Sequence, residues 1–172
     1  MTMTGNDTST RYELYTPEQR ARRDASGWTL VQGILAPLQF LAFAISLACI
    51  AHYLVTGDGY QGTTLSILVK TGFLYLIMVT GAIWEKVVFD RFLFAPAFFW
   101  EDVVSMGVIA LHTAYVVVLL LGELGPSVEI GIAIAAYLAY VINAAQFLIK
   151  FSMGRAGRST ADLRQTPGLG VS

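Results

Sequence analysis

Glu85, Glu101 and Asp102, with Asp90 between them, stand among a dense set of aromatic rings: the stretch from Trp84 to Asp102 reads WEKVVFDRFLFAPAFFWED. Two readings of these carboxylates are open. They are solvated helix ends, with Glu101 and Asp102 favourably placed near a helix N-terminus. Alternatively Phe98, Phe99 and Trp100 desolvate one of them, so that it keeps a proton to donate. His112 follows Glu101 by eleven positions and returns to nearly the same helix face, roughly 16 Å further along the axis. A direct hydrogen bond between the two is therefore excluded, but one large ligand would span both. A hydrogen-bonded contact within a bundle is the plainer role for His112.

What must position these groups follows from the apolar runs around them. The chain has 172 residues, 55% hydrophobic and 13% charged, with a mean hydropathy of +0.61. Soluble domains keep about a quarter of their residues charged. The pattern predicts an all-α membrane protein with four transmembrane helices, over about Trp28–Val55, Thr63–Ile83, Val103–Leu121 and Val128–Ile149; the last three are near the ~20 residues a ~30 Å hydrocarbon core requires, and the first is longer, so it tilts or extends past the interface. Lys and Arg outside these spans fall before the first, in the central segment and after the fourth, and are missing from TGDGYQG (56–62) and GELGPS (122–127). By the positive-inside rule both termini and the central segment are cytoplasmic. Thr16-Pro17-Glu18-Gln19, followed by Arg20, Arg22 and Arg23, predicts a short amphipathic N-terminal helix with a capping box. Residues 1–15 read as a disordered tail, 16–150 as the four-helix domain and 151–172 as a mobile C-terminal tail.

Within the spans, Lys70 is costly in hydrocarbon and must face an interior, whether neutral, paired with a carbonyl or bordering a cavity. Asn143 and Gln146, at i, i+3, suit interhelical amide bonding, as do Gln32 and Gln39; Pro37 is expected to kink the first span. The net charge of −1 argues against a nucleic-acid partner. One cysteine, Cys49, excludes an internal disulfide. His52 and His112 lie at different depths, against a bis-histidine haem site. A P-loop, a Gly-x-Ser-x-Gly turn and a His-Glu-x-x-His helix are all missing. The residues by themselves lead to a four-span protein whose aromatic, acidic cytoplasmic site suits a flat apolar ligand.

The blocks IWEKVVF (83–89), FAPAFFWEDV (94–103) and ALHTAY (110–115) carry a further signal. From Tyr15 to Lys150 the chain closely resembles the vinyl bacteriochlorophyllide hydratase family. The resemblance implies addition of water to the 3-vinyl group of a chlorophyllide-type tetrapyrrole, giving the 3-(1-hydroxyethyl) product in bacteriochlorophyll biosynthesis. It implies no redox cofactor, magnesium being part of the substrate, and membrane lipid and other enzymes of that pathway as partners. For such chemistry the expected acid is Glu101 or Glu85, with Asp102 or the other Glu activating water. Trp84, Phe98, Phe99 and Trp100 are expected to wall the ring plane. His112 is the candidate axial ligand to the substrate's magnesium, Lys70 or Arg91 the partner of its propionate, and Asn143 and Gln146 are further candidates for substrate binding. The location the resemblance implies is a bacterial inner membrane, cytoplasmic or intracytoplasmic. The rival of another class is a non-catalytic tetrapyrrole carrier or assembly scaffold. A small transporter is disfavoured by the lack of an inverted repeat or paired broken helices.

Overall fold

A computed structural model describes residues 14–165, with side chains to residue 152. It is all-helical, with α1 over Pro17–Ala25, α2 over Gly27–Thr56, α3 over Tyr60–Phe89, α4 over Phe99–Leu121 and α5 over Pro126–Gln165. The last four are long and apolar enough to cross a membrane. Of the tails expected at 1–15 and 151–172, residues 1–13 and 166–172 lie outside the described residues.

The helix ends follow the local chemistry. At α1 the Thr16 hydroxyl accepts from the Gln19 N–H and the Gln19 side chain accepts from the Thr16 N–H, so the capping box forms as read from the sequence. Ser26, in extended backbone, ends α1 and caps α2 by accepting from the Trp28 N–H. Gly57 and Gly122 close α2 and α4 at positive φ, where a side chain would clash with the backbone. Pro37 sits inside α2, which continues through it.

The central segment differs most from expectation. Trp84 to Asp102 does not lie as one surface stretch, because α3 runs on to Phe89 and α4 begins at Phe99. This puts Trp84 and Glu85 on the last turns of α3, and Glu101 and Asp102 on the first turn of α4. Only Asp90–Phe98 is non-helical. Asp90 itself caps α3 at a φ of 63°. Its exposed carboxylate pairs with Lys86 at 2.7 Å, and that ammonium holds the Asp90 carboxyl below its ordinary value.

Helix α2 pairs along α3, and α4 along α5. The two hairpins close on a core of Phe43, Ile50, Ile67, Leu74, Val108, Tyr115, Tyr137 and Tyr140. Polar side chains join them at several depths. Tyr137 Oη donates to Ser46 Oγ at 2.6 Å, and Gln32 Nε2 donates to Thr80 Oγ1 at 2.7 Å within the first hairpin. At the end of the bundle away from the Asp90–Phe98 loop, Tyr60 hydrogen-bonds to buried Glu129. In lipid such polar contacts act as helix glue, because a polar group facing hydrocarbon has no water to turn to. At the loop end α1 lies against α3, and α5 arrives with Lys150. Helix α5 then continues past Lys150 to Gln165.

Candidate functional site

The three carboxylates converge because helix register turns each inward. Glu85, on the last turns of α3, is 6% exposed; Glu101 and Asp102, on the first turn of α4, are 7% and 3% exposed. Of the two readings open to the sequence, the desolvated one describes these three groups, and the solvated one describes Asp90.

Their partners are specific. Asp102 Oδ2 accepts the Phe94 N–H at 2.7 Å, and Glu85 Oε2 accepts the Ala95 N–H at 3.2 Å. Consecutive backbone amides of the loop are thus held by carboxyls from two different helices. Phe94 has a φ of 59°, an uncommon conformation for a bulky side chain, and the Asp102 hydrogen bond helps hold it there. Those two amides are adjacent in the chain, so the Glu85 and Asp102 carboxyls stand close together, both buried. Two buried carboxyls so placed favour one shared proton over two charges. Such a pair can offer a proton and accept one, next to a clamped loop.

Glu101 has a different partner. Lys150 Nζ of α5 lies 2.8 Å from Glu101 Oε2, both side chains largely buried. Nearby, Asn143 Nδ2 donates to Ser105 Oγ at 2.8 Å, and Ser105 donates to the Glu101 carbonyl. Asn143 thus serves the interhelical role its position suggests, while the buried Gln146 Oε1 finds no protein partner. In the sequence Lys150 reads only as the start of a basic tail. Its role is hidden there because Glu101 and Lys150 are 49 positions apart and meet only when α4 and α5 pair. Lys150→Met is expected to destabilise the detergent-solubilised protein by about 2–4 kcal/mol, leaving Glu101 buried beside no cation, whereas Lys150→Arg retains most of the stability. Thermal unfolding of the three proteins checks this.

The aromatic wall is not the one expected. Phe98 is buried beside the carboxyl pair, but Phe99 and Trp100 face outward, Trp100 at 69% exposure. At the start of α4 Phe98 and, a turn further on, Glu101 and Asp102 take the inner face, which leaves Phe99 and Trp100 on the outer one. Of the expected rings Trp84 does stand against Phe98, edge-on at 5.8 Å, and the others around it come from elsewhere: Phe89 edge-on at 5.8 Å, Phe147 stacked at 6.1 Å, Tyr15 at 6.4 Å. Sequence reasoning does not single out Tyr15, Phe89 or Phe147, which meet only when their separate segments pack together. Leu14 and Tyr15, read as part of the tail, are buried in this cluster.

His112 and Lys70 lie elsewhere, deeper between the hairpins, both fully buried. Lys70 Nζ is 2.6 Å from His112 Nε2, and His112 Nδ1 is 2.8 Å from the Val108 carbonyl oxygen. Both ring nitrogens are engaged, so His112 offers no lone pair to a substrate's magnesium. Lys70 Nζ also stands 4.0 Å from the centre of the Tyr140 ring and 5.2 Å from that of Tyr137, a cation–π setting sealed from any incoming propionate. The interior orientation expected of Lys70 holds, and its partner is an imidazole where the sequence suggests a carbonyl or a cavity. Arg91, in the Asp90–Phe98 loop, is exposed and keeps access to solvent.

Residues 15–153 match the family model described as 2-vinyl bacteriochlorophyllide hydratase. A curated relative from Cereibacter sphaeroides named 2-vinyl bacteriochlorophyllide hydratase is 66% identical over 148 residues, covering 86% of this chain and 92% of that protein. Another of the same name, from Rhodobacter capsulatus, is 61% identical over 152 residues, 88% of each chain. No solved structure matches. With a family model spanning nearly all of the described helices and two relatives above 60% identity along their length, the chain belongs to the 2-vinyl bacteriochlorophyllide hydratase family.

Proposed function

We propose that this chain is the hydro-lyase its relatives are named for, adding water to the vinyl group of a bacteriochlorophyllide-type macrocycle, with Glu85 and Asp102 as the proton-handling pair. The observation that carries the assignment of residues is that these two buried carboxyls hold consecutive amides of one loop, beside a cluster of aromatic rings. Hydration of a vinyl arene starts with a proton placed on the terminal carbon, leaving a cation on the carbon joined to the ring. The conjugated macrocycle spreads that charge. Water then attacks the cationic carbon and loses a proton. A dyad bearing one proton meets both needs: Glu85 delivers it, Asp102 takes one from the attacking water, and passage of that proton across the pair to Glu85 restores the starting state. Glu101 is held apart from this exchange by Lys150.

Trp84 and Phe98 are the ring walls in this reading, and Arg91 the partner of the propionate. Phe99 and Trp100 face the membrane surface, where rings with one wet edge are favoured. No cofactor is required, because the reaction consumes only water and the magnesium travels with the substrate. The alternation of Lys and Arg between connections supports a cytoplasmic loop end, with the α1 and α5 ends on that side of a bacterial inner membrane. In this orientation α1, with Glu18, Arg20 and Arg22 on its surface, lies at the interface, and residues 16–150 form the hydratase domain.

The test is the mass of the pigment. Purified protein incubated with a vinyl chlorophyllide should return a product heavier by one water, and a strain lacking the gene should accumulate vinyl precursors. A carrier or scaffold would return the pigment unchanged, and that result would end the enzymatic reading.

A further inference from the structure

The carboxyl pair is closed off. Glu85 and Asp102 are almost fully buried, and the loop bonded to them carries Ala95 at 0% and Phe98 at 1% exposure. A flat macrocycle cannot bring a vinyl carbon to either oxygen until something moves. The elements around the pair are not equally free to do so. Helix α3 is packed along α2, and α4 along α5, so displacing either breaks a hairpin.

The α1 arm is different. None of the residues of α1 is buried, and it packs on α3. Its anchor is the pair of residues before it: Leu14 and Tyr15 sit in the cluster with Val88 and Phe98. Tyr15 stacks on Phe89 at 5.7 Å and meets Phe98 at 6.4 Å, with the Arg23 guanidinium 4.9 Å from the centre of its ring. Behind α1 the chain passes through a single extended residue, Ser26, with φ −86° and ψ 126°. A one-residue joint between two capped helices is a place where φ/ψ change can be absorbed without unwinding either. The joint is tied by Thr29 Oγ1 donating to the Arg23 carbonyl at 2.6 Å, and Trp84 Nε1 donates to the same hydroxyl at 3.0 Å.

We infer that Leu14, Tyr15 and α1 form a hinged latch that holds the Asp90–Phe98 loop down over the carboxyl pair, and that the tetrapyrrole opens it by taking the stacking place of Tyr15. This rests on the reading of Glu85 and Asp102 as the reacting groups. An aromatic side chain is the right stopper for a site that receives a larger aromatic ring: the face of Phe89 exchanges one stacked π-surface for another, with Phe98 tilted against it, so the seat stays dry whether Tyr15 or the pigment fills it. Opening moves α1 about Ser26, releases the Tyr15–Phe98 contact and lets the loop lift. Closing again around the bound ring keeps bulk water from the cation, so that only the attacking water meets it.

The test uses full-length protein with Cys49→Ala as background. In the Tyr15→Cys, Phe89→Cys protein, oxidation to the disulfide is expected to lower hydration of a vinyl chlorophyllide by at least about tenfold, and reduction to restore it. Equal rates for the oxidised and reduced forms would overturn the latch. Because removing two rings can harm folding, a second protein leaves the cluster intact: Ala21→Cys and Glu123→Cys, both spin-labelled. Its label-to-label distance distribution is expected to shift when vinyl chlorophyllide is added. An unchanged distribution with pigment bound would overturn the inference. Wild-type protein that opens on pigment yet adds no water would uphold the latch and overturn the acid-pair reading instead.

Discussion

Glu85→Gln is expected to lower the hydration rate by about 10²–10⁴-fold while leaving the fold and pigment binding close to wild type. The substitution separates two roles that the geometry superimposes. As a clamp, Glu85 needs only an oxygen to accept the Ala95 N–H, and the Gln amide carbonyl supplies it. As an acid it must carry and release a proton, which the amide cannot do. The Gln NH₂ can also donate to Asp102, so the contact between the two side chains survives without its exchangeable proton. Asp102→Asn should cost a similar factor, through loss of the base. Since the pair acts as one unit, the double variant should be scarcely worse than either single one. Rates of pigment hydration in the three variants decide this. Wild-type turnover in Glu85→Gln would reduce the dyad to a loop fastening and send the search for the acid to Glu101.

The second large effect is on stability. His112→Leu is expected to destabilise the protein by about 3 kcal/mol, because Lys70 Nζ loses the imidazole it meets at 2.6 Å and is left in a sealed interior. Lys70→Met removes the group that needs a partner and keeps the volume, so it should stay within about 1.5 kcal/mol of wild type. The telling protein is the double variant, Lys70→Met with His112→Leu, which should be more stable than His112→Leu alone. Unfolded helices in a membrane also find polar partners, which pulls such numbers toward the low end. Denaturation of the four proteins in one detergent measures the coupling. If Lys70→Met is as damaging as His112→Leu, the pair contributes something beyond mutual satisfaction.

Much of this molecule is legible in its amino-acid order alone. Apolar runs of about 20 residues fix four helices, since backbone polar groups in lipid have no other way to be satisfied than within a helix. The Thr16–Gln19 box is local chemistry and forms as written. Lys70 has to face inward, whatever it meets there. The family blocks around Glu85, Phe98 and His112 carry the activity class.

Other features need the fold. Whether a carboxyl at a helix end meets water or protein depends on what stands opposite, and that is set by helix register and by distant segments. Trp100 and Glu101 are neighbours in sequence, yet a turn of about 100° per residue sends one outward and the other in. Lys150 meets Glu101, His112 meets Lys70, and Tyr15 meets Phe98 across separations that no local pattern records. A sequence determines what a segment can be when the deciding interactions lie within a few residues, as in helices, caps and hydropathy. The burial that takes the Glu85 and Asp102 carboxyls out of water together is decided by tertiary packing, because desolvation is a property of everything that surrounds a group.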